Sequence, residues 1–287
     1  MTNNSETIIF LHIPKTAGTT LNQVLQQQYP LGEIYFLGAN AQASIAEYKM
    51  MDNAPKAAFR VVSGHTAYGF HEFVPDTATY FTLLRDPVER VVSFYHYVKN
   101  SEQHYLNRTV VDEFSGIGAF VSSGITKMVD NGQTRLLSGA WLEPDFGHME
   151  IEHYEQARAN LDRDFTVVGL TEEFDSSLLL LQQAFGWQHI NYVSRNVGEV
   201  ERRQRLLAPE EKVVLEQFNR YDIALYAYAQ RLFERQVTQL GPDYPYLLSE
   251  LQRKNRRHQL LKAPIARAIR RVRQVSVRAV LRKAFSE

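Results

Sequence analysis

Short apolar runs alternate with longer segments of helical periodicity along most of this chain. Four apolar runs predict buried strands at residues 7–13, 59–62, 79–84 and 166–170. Apolar side chains at helical spacing predict helices at residues 19–28, 88–99, 173–185, 209–218 and 221–236. Because strands and helices alternate, the expected fold class is α/β, with a central parallel sheet flanked by helices.

The sequence divides into a long acidic part and a short basic tail. The 287 residues carry 32 lysines and arginines and 32 aspartates and glutamates, yet residues 252–287 hold twelve of the basic groups and one acidic group. The net charge is therefore +11 in that tail and −11 in the rest of the chain. A turn signal at Gly241-Pro242 precedes the tail. We expect one domain over residues 1–240 and a basic segment over 241–287.

The tail is expected to form an amphipathic helix. Between Leu261 and Val280 its apolar side chains fall on one helical face, and its arginines fall on the other. Such a helix suits an anionic membrane surface. Packing on the acidic domain and contact with a polyanionic acceptor remain alternatives, whereas nucleic-acid binding lacks a motif or interleaved aromatic residues.

Composition narrows the compartment and the chemistry. The chain contains no cysteine, which excludes thiolate catalysis, zinc-thiolate sites and iron-sulfur clusters and favours a reducing compartment. No run reaches the roughly 18 apolar residues of a membrane-spanning helix. The N-terminus has no basic region before its first apolar stretch, as a signal peptide would. We expect a cytoplasmic protein.

The loop after the first predicted strand carries the clearest chemical signal. Its sequence HIPKTAGTT, residues 12–20, places small residues between a strand and a helix N-terminus, where backbone N–H groups can bind phosphate. Lys15 adds a positive charge, and Thr19 and Thr20 add hydroxyls at the start of the helix. The lysine precedes the single glycine, so the loop is not a Walker motif.

This loop resembles the 5′-phosphosulfate-binding loop of sulfotransferases that use 3′-phosphoadenosine 5′-phosphosulfate (PAPS). The resemblance is greatest to the glycan sulfotransferases of the heparan sulfate 2-O-sulfotransferase type and their bacterial relatives. It implies a single domain with a P-loop-like fold. It also implies that PAPS is bound by Lys15, Thr16, Ala17, Gly18, Thr19 and Thr20.

A second element, RDPVERVVS at residues 85–93, resembles the 3′-phosphate-binding element of the same family. Arg85 ends a predicted strand, where a guanidinium can contact a phosphate dianion in bidentate fashion. Ser93 follows about two helical turns later and can add a hydroxyl donor. The competing interpretation is a helix start at Asp86-Pro87 with Arg85 paired to a carboxylate.

His65 is the candidate general base. It follows Ser63-Gly64 at the end of a predicted strand, where open parallel sheets bind their ligands. An imidazole with a pKa of about 6.5 can accept the proton of an attacking hydroxyl at neutral pH. The resemblance assigns this role to a histidine after a glycine at this point.

Two further arginines are assigned by the resemblance. Arg135, in the segment DNGQTRLLSG at residues 130–139, is expected to border the acceptor cleft and to bind the acceptor, with a buried structural role as the alternative. Arg195, in the segment NYVSRN, is expected to reach the 3′-phosphate from a loop that closes over the nucleotide.

Together these motifs predict a sulfotransferase that moves the sulfuryl group of PAPS to a hydroxyl of a glycan or glycolipid acceptor, without a metal. His65 and Lys15 would be its catalytic residues. A kinase with a P-loop-like fold is the alternative enzyme, but no Walker lysine or magnesium-holding carboxylate is evident. A membrane-associated protein that binds nucleotide without turnover is the alternative of another class, and it would not require Lys15 or His65.

Overall fold

One five-stranded sheet forms the centre of the protein. The structure is a computed structural model that describes residues 6–38, 40–193 and 207–260. All strand pairs are parallel, and the strand order is β2-β3-β1-β4-β5. The strands are β1 (Thr7–Leu11), β2 (Ile34–Phe36), β3 (Val61–Gly64), β4 (Ala78–Leu84) and β5 (Phe165–Leu170).

Helices follow the strands and cover the sheet. They are α1 (Gly18–Gln28), α2 (Ala41–Met50), α3 (Asn53–Lys56), α4 (Pro87–Asn100), α5 (Asn107–Asp112), α6 (Ile117–Ser122), α7 (Gly132–Ser138), α8 (Ile151–Asp164), α9 (Phe174–Phe185), α10 (Pro209–Phe218) and α11 (Arg220–Thr238). Residues 244–260 are also helical. The expected α/β class with a central parallel sheet is confirmed.

The apolar pattern located the longer elements to within about two residues. β2 was not predicted, because three residues at a sheet edge are too short for a periodic signal. α8 was also not predicted, because it buries only Ala157, Asn160 and Leu161 and so lacks a marked apolar face. β3 begins two residues later than predicted and includes Gly64, which brings His65 directly to the end of the strand.

Two groups of buried side chains hold these elements together. The larger group surrounds the sheet and includes β1, where every residue is buried. The smaller group lies between α4, α5, α6 and α10 and includes Val91, Phe120 and Leu215, none of which is exposed. Because α4 contributes to this second group, the helix that carries Ser93 is packed along its length.

The domain extends beyond the boundary expected near residue 240. Leu251 is buried in the larger core, and the Tyr244 hydroxyl lies 2.9 Å from the Ser176 hydroxyl. Asn255 Nδ2 donates to Asp175 at 3.0 Å, and its carbonyl oxygen accepts from the Tyr192 N–H at 3.2 Å. Residues 244–260 therefore belong to the domain, although glycine and proline at 241–242 do interrupt the helix.

Of the expected basic tail, residues 261–287 lie outside the described residues. Within the part of the chain that is described, no helix is both long enough and apolar enough to cross a lipid bilayer.

Candidate active site

A large cleft opens at the carboxyl ends of the strands, the edge at which parallel sheets bind their ligands. Its volume is about 1830 Å³. The loops after β1, β3 and β4 contribute Lys15, His65 and Arg85 to its wall, and α4 contributes Ser93. The fold therefore brings together the three sequence elements that the motifs singled out.

The β1–α1 loop has a strained backbone of the kind found at binding sites. Lys15 and Ala17 adopt left-handed conformations, with φ of 75° and 62°. The Thr16 hydroxyl donates to the Ile13 carbonyl at 2.8 Å and is fully buried, so it holds the loop in shape and does not face the cleft. Gly18 is required here, because a Cβ atom would lie 1.8 Å from Nε2 of His12.

The side chain of Lys15 has a second cation, Arg85, as a neighbour. Its ammonium lies over the Tyr97 ring, 4.3 Å from the centroid, and no carboxylate pairs with it among residues 6–38, 40–193 and 207–260. Burial, and secondarily the charge of Arg85, lower the pKa of Lys15 to about 8. An anion that enters the cleft would stabilise the charged form of Lys15.

Arg85 is positioned through its backbone. Gln133 Oε1 accepts from the Arg85 N–H at 3.0 Å, and Gln133 Nε2 donates to the Arg85 carbonyl at 2.9 Å. The guanidinium donates to the Lys15 carbonyl at 3.1 Å and pairs with Glu89 at 3.3 Å. Its Nε is buried and has no hydrogen-bond partner within the described residues, which leaves a donor for a ligand.

Ser93 lies half-buried on the cleft wall, two turns into α4. The start of α4 is built as the sequence suggested, since Asp86 accepts from the Glu89 N–H at 2.9 Å and Pro87 occupies the first turn. The competing interpretation of this segment is thus partly correct, because Arg85 does pair with a carboxylate. That pair still leaves its Nε unpaired.

His65 is held in one neutral tautomer. Its Nδ1 lies 2.8 Å from the His12 carbonyl, and because a carbonyl only accepts, Nδ1 carries the proton and Nε2 is free to accept one. Desolvation lowers the pKa of His65, and the positive charge of Lys15 lowers it further. The hydrogen bond to the His12 carbonyl opposes these two effects. Gly64 permits the approach of this turn to Leu37, whose Cβ would lie 2.5 Å from an added Cβ.

His12 is a site residue that the sequence analysis gave no role. Its ring contacts the rings of Phe10 and His65, whose centroids are 5.2 and 4.3 Å away. Burial lowers its pKa well below the usual value, with further contributions from His65 and Lys15, so the ring is neutral beside its partner. The sequence shows that His12 belongs to the motif HIPK. It does not show that His12 packs against His65, because that contact depends on the pairing of β1 with β3.

Arg135 does not reach the cleft, which corrects the expectation that it binds the acceptor. Its side chain is fully buried, and its three nitrogens donate to oxygens of Asp130, Pro144 and Asp145 at distances between 2.5 and 2.9 Å. Arg135 therefore has the buried structural role that was the alternative interpretation. The neighbouring residue in the same motif, Gln133, serves the site instead.

Most of the remaining expected residues lie at the cleft. Ala17, Thr19 and Thr20 line the cleft, and Gly18 contributes to it beside the His12 ring. Arg195 lies outside the described residues. Within those residues, no group of three or more histidine, aspartate or glutamate side chains is arranged to hold a metal ion.

Comparison with known proteins gives consistent matches. A family model described as galactose-3-O-sulfotransferase matches residues 2–276. Galactose-3-O-sulfotransferase 2 of Sus scrofa is 26% identical over 259 residues, which cover 82% of this chain and 63% of that protein. Heparan sulfate 2-O-sulfotransferase 1 of Mus musculus is 25% identical over 201 residues, covering 62% and 54%. This chain thus spans less than two thirds of the length of either relative.

Among solved structures, a mouse sulfotransferase, SULT7A1, complexed with PAP aligns with a TM-score of 0.41 and 13% sequence identity. The alignment covers 75% of this chain and 83% of the mouse chain.

The proximity of Arg85 to Lys15 yields a testable electrostatic prediction. Arg85→Gln removes the neighbouring positive charge and should raise the pKa of Lys15 above about 8. NMR titration of ¹³C-labelled lysine side chains measures this, with the signal assigned through Lys15→Arg. Arg158→Gln, an exposed control on α8, should leave the value unchanged. Equal titration in wild type and Arg85→Gln would show that the two charges do not interact.

Proposed function

Because the chain belongs to the galactose-3-O-sulfotransferase family, we propose that it transfers the sulfuryl group of PAPS to a hydroxyl of a carbohydrate acceptor. One observation supports this proposal above the others. The same cleft is lined by Lys15, which pairs with no carboxylate among the described residues, and by Arg85, whose Nε has no partner among them. It is also lined by His65, which is held in a neutral tautomer suited to a base. These are two groups suited to an anionic donor and one suited to a hydroxyl.

The residues present fit the two charged ends of PAPS. Around the 5′-phosphosulfate, the β1–α1 loop would offer backbone N–H groups and the Lys15 ammonium would offer its charge. At the 3′-phosphate, the unpaired Nε of Arg85 and the Ser93 hydroxyl would donate hydrogen bonds. The clustering of Lys15 and Arg85 is unfavourable without an anion and becomes favourable with one.

His65 and Lys15 divide the proton and charge chemistry between them. Nε2 of His65 accepts the proton of the acceptor hydroxyl as its oxygen forms a bond to sulfur, and PAPS supplies that sulfuryl group. The ammonium of Lys15 stabilises the negative charge on the 5′-phosphate oxygen as its bond to sulfur breaks. As in phosphoryl transfer, positioning and electrostatic stabilisation provide most of the catalysis.

Substitution of the two catalytic residues should have different effects. His65→Ala should leave 3′,5′-ADP binding nearly unchanged and lower kcat by about 10²- to 10⁴-fold, the usual effect of losing a general base. Lys15→Ala should weaken nucleotide binding and turnover together. Calorimetry with 3′,5′-ADP and transfer from labelled PAPS measure the two effects.

His148→Ala and Lys212→Ala, both exposed, serve as matched controls and should behave as wild type in both measurements. An equal loss of nucleotide affinity in the His65 and Lys15 variants would refute the division of roles. Wild-type protein that binds no 3′,5′-ADP would refute the proposed donor.

The 3′-phosphate should be recognised through Arg85. Wild-type protein should bind 3′,5′-ADP more tightly than 5′-AMP, and Arg85→Ala should lose about 1.5–3 kcal/mol of that preference, the contribution of a charge-assisted hydrogen bond. Ser93→Ala should lose less, since its hydroxyl is neutral. Calorimetry with both nucleotides measures the difference, with Arg158→Ala as control. Full discrimination by Arg85→Ala would place the 3′-phosphate elsewhere.

We also propose that the protein is cytoplasmic and that residues 261–287 bind an anionic membrane surface. Support comes from the sequence, in which arginines oppose an apolar helical face. A membrane-bound enzyme would have access to a glycolipid acceptor. Packing of the tail on the acidic domain and binding to a polyanionic acceptor are the competing roles.

The folded domain shows where a truncation should be made. Because residues 244–260 pack on the core, the shortened chain should end at Leu260 and not at Gly241. Full-length protein should co-sediment with vesicles containing anionic lipid, less so at high salt, whereas the shortened chain should not. Equal sedimentation of the two chains, or none by either, would contradict membrane binding by the tail.

A further inference from the structure

Aromatic rings lead from Lys15 to the outer rim of the cleft. The Lys15 ammonium lies 4.3 Å from the centroid of Tyr97. The Tyr97 ring lies 5.5 Å from that of His104, which in turn stacks on Tyr105 at 4.8 Å with an interplanar angle of 22°. All three rings line the cleft, and we call them the aromatic rim.

The aromatic rim is open on its outer side and supported from within. Tyr97 is 47% exposed and Tyr105 is 80% exposed, so both rings present much of their surface to solvent. Beneath them the buried Phe94 meets His104 edge to face at 6.1 Å. Asn107 donates to two carbonyls at the end of α4, at 2.8 and 3.0 Å, and this fixes the segment that carries His104 and Tyr105.

The chemistry of the aromatic rim suits a neutral polyhydroxylated ring. Burial lowers the pKa of His104, so it is neutral at pH 7. Its Nδ1 accepts from the Leu106 N–H at 3.2 Å, so in the neutral ring Nε2 carries the proton and can donate to a hydroxyl. Two phenol groups add donors and acceptors beside flat apolar faces.

The position of Tyr97 associates the aromatic rim with the acceptor. The Lys15 ammonium contacts Tyr97 and is close enough to lower the pKa of His65, so Tyr97 borders the reaction centre. The adenine of the donor has another place available, beside Phe174 and Tyr192, which line the cleft next to the end of β5. The acceptor must reach His65 from solvent, and the aromatic rim extends in that direction.

We propose that the aromatic rim is an acceptor subsite that binds the sugar ring next to the one that is sulfated. This inference rests on the proposed function and deepens it, because it identifies the acceptor as a glycoside of at least two rings. The outer ring lies on the face of Tyr105 and accepts a hydrogen bond from His104, while the sulfated ring occupies the space beside Lys15 and His65.

A matched pair of acceptors tests the subsite. Methyl β-lactoside presents the same terminal galactose as methyl β-galactoside and adds one ring. Wild-type protein should transfer sulfate from PAPS to the disaccharide with a higher kcat/KM, by about three- to tenfold, mainly through KM. Tyr105→Ala should lose this gain without a change in kcat/KM for the monosaccharide, and Tyr105→Phe should retain most of it.

Tyr246→Ala is the control, since Tyr246 is 66% exposed and does not line the cleft. It should keep the full preference for the disaccharide. Equal kcat/KM values for the two sugars in wild type, or an undiminished preference in Tyr105→Ala, would overturn the subsite. A loss of 3′,5′-ADP affinity in Tyr105→Ala would overturn it too, because it would assign the ring to the donor.

Binding measurements separate this inference from the proposed function. If wild-type protein binds 3′,5′-ADP but transfers sulfate to neither sugar, its acceptor is a carbohydrate other than these two galactosides. Titration of the 3′,5′-ADP complex with each sugar then decides the subsite. Tighter binding of the disaccharide that disappears in Tyr105→Ala supports it, and equal or absent binding of the two sugars overturns it.

Discussion

The position of Arg85 in the cleft depends on the contacts of one buried carboxylate, that of Asp222. It accepts from the backbone N–H groups of Gln133 and Thr134 at 3.0 and 2.7 Å, accepts from the Thr134 hydroxyl at 2.8 Å, and lies 3.5 Å from Arg90. Both charged side chains are fully buried. Removal of one partner would leave an uncompensated buried charge, which typically costs about 3–5 kcal/mol.

This contact connects α11 with Arg85, the residue that recognises phosphate in our proposal. Asp222 fixes the first turn of α7, α7 presents Gln133, and Gln133 holds both backbone polar groups of Arg85. The guanidinium is thus oriented before any ligand arrives. Preorganised donors of this kind stabilise charge without reorganisation during the reaction.

The same arrangement keeps two cations, Lys15 and Arg85, close together at the cleft wall. Burial and Arg85 lower the pKa of Lys15 to about 8, and the left-handed residues of the β1–α1 loop add backbone strain. The packed sheet, in which β1 pairs with both β3 and β4, offsets these unfavourable energies. In the proposed function an anionic donor would relieve this charge repulsion. The lowered pKa values of His65 and His12 keep both rings neutral beside it.

Local patterns in the sequence determined the α/β class, the position of most long elements and three loops of the site. A strand followed by a helix places the intervening loop at one sheet edge, so Lys15, His65 and Arg85 could be expected to meet. Tertiary structure decided what long-range contacts control. It buried Arg135 against the Asp130 carboxylate and nearby main-chain oxygens and turned Gln133 toward Arg85. It packed His12 on His65 and joined residues 244–260 to the domain. Such roles depend on distant partners, and no periodicity within a segment encodes which partner it meets.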